Sequence, residues 1–484
     1  AIMELRPDAK ILFVGAEGRM EMQRVPDAGY KIIGLPVAGF DRKRLWKNFA
    51  VLIKLLRSQL KARRILKEFH PQVAVGVGGY ASGPTLKVAG MMGVPTLIQE
   101  QNSYAGVTNK LLAQKACKIC VAYDGMEKFF PADKIIMTGN PVRQNLLANK
   151  QSREAAVTSF GFNPEKKTIL ILGGSLGART INQTLIAALD TIKAYGDIQF
   201  IWQTGKIYIQ QVKDAITTTT GEAVRNPRIS AIPNLYVTDF IKDMASAYAA
   251  ADLVISRAGA GSISEFCLLN KPVILVPSPN VAEDHQTKNA LALVDKEAAI
   301  YVKDADAMKH LIPVALETVA DAQKLKTLSE NIAKLALPDS ATIIAKEVLK
   351  ALVRDIKFGL VPNGYSGYDN RPLYNSVDAS LLLFEQVQKY IDYTGDYKFV
   401  QEELYEKLEE IIENYIKGID VDDNNIYLDS DNLIVSGTEN TQNTWMDAKY
   451  DGIAITPRSG KAVEINSLWY NANKIMEALS KKFG

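Results

Sequence analysis

Along the first two-thirds of the chain, short apolar runs alternate with longer stretches whose apolar residues recur every three to four positions. "KILFVGA", "VAVGVGG", "VPTLIQE" and "CKICVAY" are β-branched and nearly continuous. Runs of that kind predict strands buried on both faces of a parallel sheet. A second series follows in "TILILGG", "IQFIWQTG", "LYVTDF", "LVISRAG" and "PVILVPS". Strands alternating with helices predict doubly wound sheets, and two series predict two Rossmann-like domains facing each other. Past residue 355 the pattern changes. "SVDASLLLFEQVQKYIDYTG" and "QEELYEKLEEIIENYIKGI" carry helical periodicity, and the loops between are rich in Asp, Asn, Gly and Tyr. Those helix pairs predict part of an α-helical barrel.

Charge reverses at the same place. Residues 355–484 hold 12 Lys and Arg against 22 Asp and Glu, whereas 1–354 hold 45 against 32. The overall net charge of +3 conceals this shift, which marks a domain boundary. No apolar run reaches the ~18 residues of a membrane span. Three cysteines in 484 residues make no disulfide framework. Cys117 and Cys120 form a CxxC inside an apolar run, where a buried strand is the better reading than a metal or redox pair. The Asp420, Asp422 and Asn424 spacing matches the start of a calcium loop. Asn425 then replaces its glycine and Asp431 its closing glutamate, so the loop is read as solvated and no metal is expected.

In open α/β sheets ligands lie at the carboxyl ends of strands. "ILGGSLGARTIN" is such a turn. Gly173, Gly174 and Gly177 permit a tight bend, Ser175 adds a hydroxyl, and the helix behind presents N–H groups to an anion. "ISRAGAGSISEF" is another, with Arg257, Gly259 and Glu265. A carboxylate there either caps its helix or accepts from a pair of ribose hydroxyls. "EDHQTKNA" then places His285, Gln286 and Asn289 at a third helix start, a polar set suited to a sugar.

Six motifs in this order, "GGYASGP" (78–84), "EQNSYAG" (100–106), "TGNPVR" (138–143), "GGSLGA" (173–178), "RAGAGSISE" (257–265) and "EDHQTKNA" (283–290), resemble the MurG-type glycosyltransferase family over residues 1 to about 352. The resemblance implies a GT-B fold of two Rossmann-like domains, 1–143 and 144–336, with a closing helix over about 337–354 that packs back on the first. It implies inverting transfer of N-acetylglucosamine from UDP-GlcNAc to a lipid-linked muramyl-pentapeptide, with no cofactor. It places Ser175 and Gly174 at the UDP phosphates, Arg143 near the diphosphate and Glu265 on ribose. His285 and Gln286 face the sugar, Phe240 and Met244 lie near uracil or the sugar, and Asn102 and Tyr80 belong to the acceptor side. It implies peripheral attachment to the cytoplasmic face of the bacterial inner membrane. "GFDRKRLWKNFAVLIKLLRSQLKARRILKEF" (39–69) suits that role, because basic residues surround Leu45, Trp46, Phe49, Ile53 and Leu56 at helical spacing.

The family's GGTGGH-like loop, with its candidate base, occurs nowhere in the chain. The remaining histidines, His70 and His310, do not replace it, and His70 is read as a helix C-cap. The expectation is a transferase truncated at its start and impaired. An epimerase with the same donor is the rival class, against which "EQN" and "GGYASGP" argue. The basic charge comes with no nucleic-acid motif, so nucleic acid is not expected as a partner.

Residues 356–484 resemble the amylo-α-1,6-glucosidase domain of glycogen debranching enzymes, an (α/α)6 barrel, through "VPNGYSGYDNRPLYNSVDASLLLFEQVQKYIDYTGD" and "TWMDAK…TPRSGKAVEINSLWYNA". The resemblance implies Asp447 as general acid and Asp378 and Glu464 lining the sugar site, with Trp445, Trp469 and Tyr470 as candidate sugar platforms. Inverting hydrolysis also needs a second carboxylate, which in that family comes from later helices. An α-1,6-glucosidase fragment, or an inactive chimera joined near 352–358, is the alternative expectation.

Overall fold

A computed structural model describes residues 10–37, 48–143, 146, 151–174, 177–222, 224, 228–229, 232–365, 371–445, 449–450 and 453–484. Ser175, Trp46 and Asp447 lie outside the described residues.

All nine apolar runs form strands. In the first unit β1 (Leu12–Ala16) pairs in parallel with β2 (Lys31–Leu35). A separate parallel ladder joins β3 (Ala74–Gly76), β4 (Thr96–Glu100), β5 (Lys118–Val121) and β6 (Ile135–Met137). The two ladders share a core, in which Leu35, Ala89 and Val94 meet Val14, Ile33 and Ala74. Helix α1 (Asn48–Phe69) buries Ala62, Ile65 and Leu66 in that core. It ends at His70, whose φ of 49° and N–H bond to the Leu66 carbonyl (3.0 Å) close the helix in a left-handed turn. Cys120 is buried on β5, and burial first, then nearby Glu347, pushes its thiol up to about 12. It is an inert core residue, as the strand reading expects.

The second unit is a seven-stranded sheet in the order β13–β12–β11–β7–β8–β10–β9. β7 (Lys167–Leu172), β8 (Ile198–Gln203), β10 (Ile232–Thr238), β11 (Leu253–Ser256), β12 (Val273–Leu275) and β13 (Ile300–Tyr301) are parallel, and β9 (Arg228–Ile229) is an antiparallel edge. The strand order reverses between β7 and β11. Leu172 stands beside Ser256 in the register there. The turns after these two strands are the two glycine-rich motifs, so both open at the topological switch point.

Three helices of the second unit are α2 (Arg179–Ala187), α3 (Ala260–Leu268) and α4 (His285–Val294). Past β13, helix α5 (Ser340–Val353) has two apolar sides. Ala351 and Ile344 pack on Leu97 and Cys120 of the first sheet. Leu349 and Val353 enter the core of the C-terminal helices with Leu381, Phe384, Leu408 and Trp469. Lys346 pairs with Asp396 at 2.5 Å and Lys350 with Glu403 at 2.8 Å. The sequence break at 352–358 is therefore not a break in packing, because one helix serves both cores.

Among the described residues the C-terminal part contains helices Asp378–Thr394, Tyr397–Glu403, Tyr405–Lys417 and Val463–Phe483, with three two-residue antiparallel ribbons. Trp469 corrects one expectation. It is buried and stacked on Tyr415 at 6.0 Å, so it is a core residue and not a sugar platform. Helical spacing from Ile465 through Ala472 and Ile475 puts it on the inner face of its helix. Trp445 and Tyr470 are exposed.

Candidate active site

The turn after β7 is built by close approach. A Cβ on Gly173 would lie 2.8 Å from the Ala178 nitrogen, and one on Gly177 2.6 Å from the Thr204 carbonyl oxygen. Gly174 and Gly177 have φ of 73° and 84°, which side chains rarely adopt. Helix α2 begins directly behind this turn, so its free N–H groups face the space above the sheet.

The turn after β11 leads into α3, which carries Glu265. Glu265 Oε2 accepts from the Tyr248 hydroxyl at 2.7 Å, and Oε1 accepts from Arg143 at 3.1 Å. The carboxylate is mostly buried and the guanidinium mostly exposed. Burial, followed by the Glu265 charge, pushes the pKa of the Tyr248 hydroxyl up, so it stays a neutral donor. Arg143 and Glu265 thus meet although they stand 122 positions apart in sequence. Arg257 is a strut. It donates to the Val276 (2.9 Å) and Pro277 (3.2 Å) carbonyls and pairs with Asp304. Gly259 caps α3 in an extended conformation.

At the start of α4, Gln286 Oε1 accepts from the Ser278 N–H at 2.8 Å. His285 lies beside Tyr104, with ring centroids 6.2 Å apart, and its buried Nδ1 has no partner among the described residues. Asn289 is fully buried. Its Oδ1 accepts from the Ser103 N–H (2.9 Å) and hydroxyl (3.1 Å), and its Nδ2 donates to Asn102 Oδ1 (3.1 Å) and the Ala258 carbonyl (3.4 Å). Its polar atoms are spent on holding the "EQN" loop of one unit against the other. Phe240 is exposed, and Met244 opens a short helix, Met244–Ala250.

On the opposite side, Asn102 is fixed by Glu100. That carboxylate is buried and accepts from the Asn102 backbone N–H (3.1 Å), the Asn102 side-chain amide (3.3 Å), the Gly106 N–H (3.0 Å) and the Asn109 amide (2.8 Å). Tyr80 is exposed, with the Arg19 guanidinium 5.8 Å from its ring centre. Sequence reasoning missed Glu100 and Tyr248 as positioning residues. The motif containing Glu100 was visible, but its burial was not.

The chain matches family models for the glycosyltransferase family 28 N-terminal domain over residues 2–121 and C-terminal domain over 168–343. A UDP-N-acetylglucosamine–N-acetylmuramyl-(pentapeptide) pyrophosphoryl-undecaprenol N-acetylglucosamine transferase of Bacteroides fragilis is 81% identical over 350 residues, covering 72% of this chain and 90% of that protein. The chain belongs to this transferase family. The counterpart from Bacteroides thetaiotaomicron is 79% identical over 350 residues, covering 72% of this chain and 91% of that protein. The crystal structure of Acinetobacter baumannii MurG aligns with a TM-score of 0.55 at 27% identity, covering 70% of this chain and 91% of that one. Calicheamicin glycosyltransferase CalG4 shares the fold at TM-score 0.52 and 14% identity, over 74% of this chain and 94% of that one. These matches bear out the resemblance read from the six motifs and the GT-B fold it implied.

Residues 338–484 match the amylo-alpha-1,6-glucosidase family model. Here Asp378 accepts a short bond from the Ser376 hydroxyl at its helix start. Glu464 pairs with Arg458 at 2.6 Å. Burial would raise its pKa, but the Arg458 bond and charge and a backbone N–H outweigh it and hold the carboxyl below its usual range. A polar cavity of about 620 Å³ in the same part of the chain is lined by Asn375, Asp420, Asn424 and Asn443 among others, but by neither Asp378 nor Glu464. Among the described residues no group of three His, Cys, Asp or Glu side chains is placed to hold a metal.

Proposed function

We propose that the chain binds UDP-GlcNAc at the β7–β11 switch point and transfers N-acetylglucosamine to a lipid-linked muramyl-pentapeptide, the reaction in the names of its relatives. The observation that carries this reading is the Glu265–Arg143–Tyr248 cluster beside two glycine-rich turns. With UDP bound, Glu265 takes the ribose hydroxyls, and Arg143 swings from the carboxylate to the diphosphate. The turn of Gly174 and Ser175 and the N–H groups of α2 take the remaining phosphate charge. Displacement at the anomeric carbon by the muramyl 4-hydroxyl needs that charge stabilised as UDP departs, and fixed dipoles supply it without reorganisation. His285 and Gln286 flank the sugar, with Phe240 and Met244 toward uracil or sugar. Asn102, positioned by Glu100 and Asn289, and Tyr80 face the acceptor. Inversion at the anomeric carbon follows from a single displacement.

Helix α1 supports attachment to an anionic membrane surface, at its cytoplasmic face. Leu56 and Leu60 are 62% and 70% exposed, among exposed Lys54, Arg57, Lys61 and Arg64. No helix among the described residues is long and apolar enough to cross a membrane. The C-terminal family match favours a second reading, that residues 356–484 are part of a glucosidase (α/α)6 barrel with Asp447 as acid. The deciding experiment supplies labelled UDP-GlcNAc and a lipid-linked muramyl-pentapeptide, and in parallel a branched dextrin. Label in the lipid fraction supports the transferase, released glucose supports the second reading, and saturable UDP binding without transfer supports the donor site alone.

A further inference from the structure

Tyr104, the aromatic residue of the "EQNSYAG" motif, lies in the loop after β4, and its side chain is half-buried. Phe129 holds its ring edge-on, with centroids 4.7 Å apart. The ammonium of Lys288, on α4, stands 3.1 Å from the ring centre, and that of Lys110 stands 4.5 Å from it. Lys288 is half-buried as well. An ammonium partly withdrawn from water gains more from a ring face than an exposed one.

The same ammonium reaches back along the chain. Lys288 Nζ donates to the Glu283 carbonyl at 2.9 Å. Glu283 and Asp284 both have φ of 54°, a left-handed conformation that residues with a Cβ keep only where their surroundings enforce it. Asp284 is held from the helix too, since its Oδ1 accepts from the Thr287 hydroxyl at 2.6 Å. His285 and Gln286 follow directly and open α4. His285 stands three positions before Lys288, on the same side of the helix, with its ring 6.2 Å from that of Tyr104. The direction in which His285 and Gln286 leave the turn therefore depends on Lys288, and the place of Lys288 depends on Tyr104.

We propose that Tyr104 and Lys288 form a positioning pair for the transferred sugar. Tyr104 fixes the Lys288 ammonium, Lys288 fixes the left-handed turn, and the turn aims His285 and Gln286 at the hexose. The pair acts through those two side chains. Its role rests on the donor site proposed above, and it serves one part of the donor. Glu265, Arg143 and the glycine turn after β7, which take the nucleotide, stand on other elements and do not depend on it.

The test titrates the full chain with UDP and with UDP-GlcNAc by calorimetry and compares the two dissociation constants. Lys288→Met keeps the stem and removes the charge. It is expected to weaken UDP-GlcNAc binding at least fivefold and to leave UDP binding within twofold. Tyr104→Leu removes the ring face and gives the same split. The double variant is no weaker than either single one, because the two residues act as a unit. Tyr104→Phe keeps the ring face and restores the wild-type ratio. A pair that served only packing would weaken both ligands alike. That outcome, or a Lys288→Met protein with unchanged affinity for UDP-GlcNAc, overturns the proposal. Where Tyr104→Leu does not fold, Lys288→Met decides. A wild type without saturable UDP binding overturns the donor site itself, and the pair with it.

Discussion

Replacing Glu265 by Gln tests the donor site at its best-defined atoms. In the free protein each carboxylate oxygen has one donor, Arg143 at 3.1 Å and Tyr248 at 2.7 Å. With UDP bound, the same two oxygens accept the ribose 2′ and 3′ hydroxyls. Glutamine keeps the shape but offers one acceptor and one donor, and it has no charge. One hydroxyl then loses a charge-assisted bond, worth about 1.5–3 kcal/mol. At 1.4 kcal/mol per factor of ten, that weakens UDP binding by roughly 10- to 150-fold. The fold loses little, because Tyr248 keeps the amide oxygen as acceptor. Isothermal titration of the wild type and Glu265→Gln with UDP and with 2′,3′-dideoxy-UDP closes a cycle. Removing the hydroxyls is expected to weaken binding to the wild type more than to the variant. A wild type that binds both nucleotides equally, or a variant within twofold of wild type for UDP, refutes the assignment of ribose to Glu265.

Four other outcomes follow from particular contacts. Asn289→Ala leaves the Ser103 N–H and Asn102 Oδ1 without their partner in a buried place, a loss of about 3 kcal/mol that urea unfolding of the full chain should register. Gly177→Ala sets a Cβ 2.5 Å from Tyr208 at a φ of 84°, so it should cost about 2 kcal/mol and weaken UDP binding with it. The Leu56→Glu, Leu60→Glu double variant should bind vesicles containing anionic lipid at least tenfold more weakly in sedimentation, since each leucine stands to bury about 1.5–3 kcal/mol of apolar surface. At Asp396, burial favours the neutral form, but the bonds from Lys346, the Phe399 N–H and the Tyr390 hydroxyl prevail and depress the pKa. A carboxyl depressed in the folded state stabilises above its unfolded value of about 4 and loses that contribution as pH falls through the folded value. Asp396→Asn should therefore lower the urea midpoint at pH 7, and the difference should vanish in acid below the usual carboxyl range.

The strands were legible because burial on both faces writes itself as continuous apolar runs. "TILILGG" and "LVISRAG" became β7 and β11 with their glycine turns side by side at the switch point. What spacing could not supply was which polar atoms are already engaged. Arg257 and Asn289 have the residue types of a ligand site, yet their side chains are taken up by Asp304 and by Ser103 and Asn102. Those partners lie 47 and 186 residues away, beyond any local pattern. Glu100 and Tyr248 were invisible as positioning groups for the same reason. Trp469 shows the limit in the other direction, since a large aromatic in a sugar-enzyme motif reads as a platform until its neighbour Tyr415 is seen. The charge reversal near 355 marked a change of composition, but not the packing there, because α5 alternates its apolar residues between two cores.

The most direct measurement of the central claim is calorimetric titration of the full chain with UDP, with ADP as control. The account predicts one saturable UDP site per chain, abolished or strongly weakened in Glu265→Gln and not matched by ADP. Absence of saturable heat at millimolar UDP, from a chain that melts cooperatively, would contradict it.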